Sequence, residues 1–146
     1  MLRTLLIFLI PLVLLSPIAA QAPETPPIVL SGLRAYQAFG RDSAVAVWTR
    51  GSPIEGQVGS QVMRGMEDIE TAYGSATDHE ILANVAIGRR VIRSYVVVYF
   101  TRGPMYAWFD CYRSNDSWIT VGFLFNTRPQ EILPRAMLEP AQRRSQ

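Results

Sequence analysis

The chain has 146 residues, 49% of them apolar, with fourteen arginines, no lysine and twelve acidic residues. With Arg3 set aside in an export signal, thirteen arginines face twelve acids, which excludes the basic footprint of a nucleic-acid binder. Cys111 is the only cysteine and His79 the only histidine, so an internal disulfide is excluded and a structural metal site is not expected.

Met1 to Ala20 reads as the export signal. Arg3 gives the positive start, Leu5 to Leu15 the apolar run, and Ser16, Pro17, Ala19 and Ala20 a small-residue exit with cleavage after Ala20. Eleven apolar residues fall short of the roughly 20 that span a bilayer, so cleavage is expected over a retained anchor. The product is then periplasmic or extracellular, with no membrane contact after cleavage. A tethered envelope subunit is the alternative if the signal stays. Residues 21–27 follow as a Pro-rich linker carrying Pro23, Pro26 and Pro27.

Leu33, Tyr36 and Phe39 recur at helical spacing before Gly40, which predicts a first helix over Ile28 to Phe39. Asp42 is placed as N-cap of a short second helix with Ala44, Val47 and Trp48 on its apolar side. Ser52, Pro53 and Glu55 form a capping box, which predicts that a third helix starts there and runs to Tyr73. Beyond Gly74 the period changes to two. Four strands are predicted at about Glu80 to Ile87, Val91 to Thr101, Met105 to Tyr112 and Trp118 to Thr127, and their short connections require an antiparallel meander. Residues 28–134 form the domain, and 135–146 read as a flexible tail.

The predicted fold class is α+β, with three N-terminal helices covering one face of a four-stranded sheet. Strand parity assigns Ile92, Val96, Val98, Phe100, Met105, Ala107, Phe109 and Cys111 to the helix-facing side, together with Ile119, Val121, Phe123 and Phe125. Trp118, Thr120, Gly122, Leu124 and Asn126 are assigned to the opposite face. That face carries Arg93, Tyr95, Tyr99, Tyr106, Trp108 and Tyr112, residue types enriched in contact surfaces, and predicts a homodimer through the sheet.

The Gly40 to Asp42 step, the Trp48 to Glu55 segment and the closing strand SNDSWITVGFLFNT resemble the nuclear transport factor 2-like, or cystatin-like, superfamily over Val29 to Pro134. The resemblance implies a curved sheet closed by helices into a cone with a pocket, and dimers formed through the sheet. Its members include ketosteroid isomerases, polyketide cyclases, scytalone dehydratases and limonene epoxide hydrolases, and also many non-catalytic binding domains, so fold alone assigns no chemistry. Tyr36, Phe39, Trp48 and Tyr73 are the candidates to line such a pocket, for a small apolar ligand.

The sequence favours an exported binding domain, without cofactor, for a partner protein or that ligand. The enzymatic alternative uses Asp110 or His79 as acid or base. Parity places Asp110 on the outer face beside Arg93, and His79 opposite both Asp78 and Glu80.

Overall fold

The computed structural model describes residues 22–139. The Met1 to Ala20 signal, its cleavage point at Ala20 and the end of the tail lie outside them. Helices α1 (Pro27–Phe39), α2 (Arg41–Thr49) and α3 (Ser60–Tyr73) precede strands β1 (Ala76–Ala86), β2 (Val91–Phe100), β3 (Gly103–Ser114) and β4 (Ser117–Asn126). The strands form one antiparallel sheet in the order β1-β2-β3-β4, so the class is α+β with an open meander. A 3-10 turn (Pro129–Glu131) and a one-turn helix α4 (Arg135–Leu138) follow, so the predicted tail begins with local structure.

Helix α1 buries Val29, Gly32, Leu33 and Tyr36, one stripe of a 3.6-residue period. Gly40 ends it with φ of 81°, a left-handed conformation that a side chain would strain, and the chain re-enters a helix at once. Gly40 is therefore the N-cap of α2, and Asp42 sits exposed in the first turn, where its charge still favours the helix dipole.

Helix α3 begins at Ser60, not at Ser52. The capping interactions form locally all the same: the Gly51 N–H donates to the Glu55 carboxylate at 2.7 Å, and the Ile54 N–H to Ser52 Oγ at 3.2 Å. Gly56 then takes φ of 70°, which no helix accommodates, so the box closes a turn. Ile54 and Val58 lie in this connection, and Val58 packs against the core from there.

Trp48 organises the inner side of the sheet. Its ring centroid lies 4.8 Å from that of Phe109 and 5.9 Å from that of Phe123, and its Nε1–H donates to the Val29 carbonyl at 3.3 Å. The indole presses on the α1 backbone at Gly32, where an added Cβ would fall 1.9 Å from Nε1. Around it pack Val96, Val98, Phe100, Met105, Ala107 and Cys111, as parity predicts.

Strand β4 departs from simple alternation. Pairing runs Asp110 with Gly122 but Cys111 with Thr120, so Val121 is an extra residue, a bulge that inverts the parity below it. Phe123 and Phe125 face the helices as predicted. Below the bulge, however, Trp118 and Thr120 take the inner positions, while Ile119 lies opposite Tyr112 and Val121 is 41% exposed. Two further irregularities interrupt β1, between Ala76 and Asp78 and between Ile81 and Ala83. Bulges raise local twist, which bends both edge strands of the sheet.

Candidate functional site

On the outer face, Arg93 of β2 lies directly across from Asp110 of β3. The guanidinium donates from Nε and Nη2 to the two carboxylate oxygens at 2.7 and 2.6 Å, and stacks 4.3 Å above the Trp108 ring centroid. This hydrogen bonding to Asp110 pushes the Arg93 pKa upward, although partial burial acts the other way. Both oxygens of Asp110 are thus engaged, which suits an anchor better than a proton carrier.

Cross-strand pairing sets Tyr95 against Trp108, Trp108 against Leu124, and Tyr112 against Ile119. Tyr95 and Val97 are buried in the middle of this face, with Tyr106 opposite Val97. Tyr99 (39% exposed), Val121 and Leu124 (48% exposed) are open to solvent. The Tyr99 hydroxyl donates to Glu80 at 3.0 Å, and this bond raises its pKa. The six interface candidates, Arg93, Tyr95, Tyr99, Tyr106, Trp108 and Tyr112, therefore share one face with exposed aliphatic neighbours.

The four pocket candidates do not converge on a common cavity. Trp48 is sealed within the core, and Phe39, at the end of α1, is 78% exposed. Tyr73 packs over β3, where a Cβ on Gly103 would meet its ring at 2.4 Å. Only Tyr36 reaches an open space, a cleft of about 260 Å³ lined also by Gln37, Gly40, Glu70, Ser75 and Ala76.

The Tyr36 hydroxyl is buried and makes no hydrogen bond within the protein. Burial, and then the negative charge of the nearby Glu70 carboxylate, push its phenol well above the ordinary range. Glu70 is itself held by Arg41 at 2.5 Å, with Glu67 at 3.5 Å from the same guanidinium. At the rim, His79 Nδ1 lies 3.2 Å from Gln37 Oε1.

No family model matches the chain, and no curated protein or solved structure matches it either.

His79 pairs with Val98 on the inner face, whereas Asp78 and Glu80 pair with Tyr99 and Val97 on the outer one. The acid, base, acid string is thus split across the sheet, and Asp110 and His79 lie on opposite faces. Among the described residues no group of three His, Cys, Asp or Glu is placed to hold a metal, and no helix is long and apolar enough to cross a membrane. Cys111 is fully buried opposite Thr120, and burial pushes its thiol up to about 12, so it is inert as a nucleophile.

Sequence reasoning missed the Arg41, Glu67 and Glu70 cluster beside Tyr36. Its signal was the spacing of Glu67 and Glu70, one helical turn apart, facing an arginine that follows the Gly40 elbow.

Proposed function

We propose that this chain is an exported, non-catalytic binding domain with a nuclear transport factor 2-like shape, which pairs with a second copy through the outer face of its sheet. The observation that carries this reading is the exposure of Val121 and Leu124 beside the Arg93, Trp108 and Asp110 stack, with Tyr99 exposed further along β2 on the same face. Aromatic and arginine side chains beside exposed aliphatic ones form the pattern of a contact surface. On the inner face Trp48, Phe109 and Phe123 pack ring against ring, the arrangement of a core and not of a ligand-site lining.

Leu124→Glu tests the contact without touching the core. A dimeric mass in solution for the native protein, falling to a monomeric mass in the variant at unchanged melting temperature, is the expected result. Equal masses for the two proteins would remove the outer face from the contact. Export is tested separately by the intact mass of the secreted product: a start near Gln21 is expected, and an uncut chain would favour a tethered envelope subunit.

One observation favours a small ligand as a second partner. The buried Tyr36 hydroxyl, unpaired at the wall of a cleft, costs about 1–3 kcal/mol unless something bonds it. A molecule with an apolar body and a polar tip would satisfy it. Tyr36→Phe is then expected to raise the melting temperature of ligand-free protein and to abolish any small-molecule adduct in native mass spectra. A lowered melting temperature would mean that the hydroxyl is already satisfied.

A further inference from the structure

Three arginines from two hairpins meet at one end of the sheet. Arg89 and Arg90 close the connection between β1 and β2, and Arg113 lies near the end of β3; the Arg113 N–H donates to the Arg90 carbonyl at 2.8 Å, which locks the two together. With Asn115, which turns the β3 to β4 connection at φ of 53°, they line a cleft of about 430 Å³.

The charges in this cleft are uncompensated. Arg41, Arg93 and Arg128 each pair with a carboxylate, whereas among the described residues none pairs with Arg89, Arg90 or Arg113. Arg90 reaches only the Tyr112 hydroxyl, at 3.3 Å. Asp110 and Asp116 both lie three residues from Arg113 in sequence, but Asp110 is held by Arg93, and Asp116 lines a neighbouring cleft with Pro27, Ile28 and Arg50. Three guanidinia around one concavity repel each other and offer forked donors to a tetrahedral oxyanion.

We propose that Arg89, Arg90 and Arg113 bind a phosphate group, and that its source is the headgroup of an anionic lipid. One observation favours the lipid over a free phosphate. Ile87, at the same turn, is 57% exposed, and an apolar side chain beside arginines suits the boundary between headgroups and acyl chains.

The test uses protein purified after expression of the full chain, in two arms. Co-sedimentation with phosphatidylcholine vesicles, with and without phosphatidylglycerol, reads the lipid source; titration calorimetry with inorganic pyrophosphate reads the free one. Binding that requires phosphatidylglycerol, and that weakens at least about tenfold in Arg90→Gln/Arg113→Gln at unchanged melting temperature, is expected. Any N-terminal apolar segment is common to both proteins, so the arginine-dependent difference isolates the cleft. Pyrophosphate binding lost in the same variant, with no vesicle binding, would overturn the lipid source and leave a soluble phosphate ligand. No binding in either arm, or binding indifferent to the substitutions, overturns the site itself.

Discussion

The two faces of the sheet are built from similar residue types and put them to different uses. On the inner face, aromatic rings meet each other: Trp48, Phe109 and Phe123 pack with centroids 4.8–5.9 Å apart, and the one polar edge, the indole N–H, finds a backbone carbonyl. On the outer face, Trp108 meets a cation that is clamped by a carboxylate, and Tyr95 and Val97 are buried while Tyr99 and Leu124 stay open. An aromatic residue stabilises a fold through the area that it removes from water, and it recognises a partner only where some of that area is left over. The inner face has spent its apolar surface; the outer face has kept some.

That contrast implies a ranking of perturbations. Gly32→Val or Trp48→Ala strikes the inner face where the indole meets the α1 backbone, and is expected to cost about 3–5 kcal/mol in denaturant unfolding. Alkaline pH comes next. The folded-state pKa values of Tyr36 and Cys111 are raised above 10.0 and 9.0, so each contributes stability that is present below its unfolded value and lost as pH rises above it. The loss is about 1.4 kcal/mol per pH unit for each group, and Tyr36→Phe or Cys111→Ala should flatten its own share of the slope. Asp110→Asn removes one partner of the outer ion pair and is expected to cost about 1 kcal/mol, with little effect on the core. Smallest is Leu124→Glu, within about 0.5 kcal/mol on stability, though it is expected to abolish self-association. If the outer-face substitutions cost as much as the inner ones, the two faces do not divide the work in this way.

The alternation of strands β2 and β3 is legible in the sequence because these two central strands are flanked by a paired strand on each side, and the period of two is kept. Strand β4 is legible only down to Phe123: the extra residue at Val121 leaves no mark in composition, and it moves Thr120 and Trp118 inward. The start of α3 was hidden for a different reason. Ser52, Pro53 and Glu55 make the bonds that a capping box makes, but the left-handed turn at Gly56 outweighs them. Of the candidate sites, the Arg93 and Asp110 pair follows from strand parity alone. The Tyr36 cleft and the Arg113 contribution to the arginine cleft depend on how distant segments meet, and no local spacing carries that information.

The buried, inert Cys111 permits a direct test of the outer-face contact, because a spin label on an introduced thiol at Val85→Cys, on the edge strand opposite Arg93, will be the only one attached. Pulsed dipolar spectroscopy should find one well-defined intermolecular distance, which vanishes when Leu124→Glu is added. Absence of intermolecular coupling, or coupling that survives Leu124→Glu unchanged, would contradict association through this face.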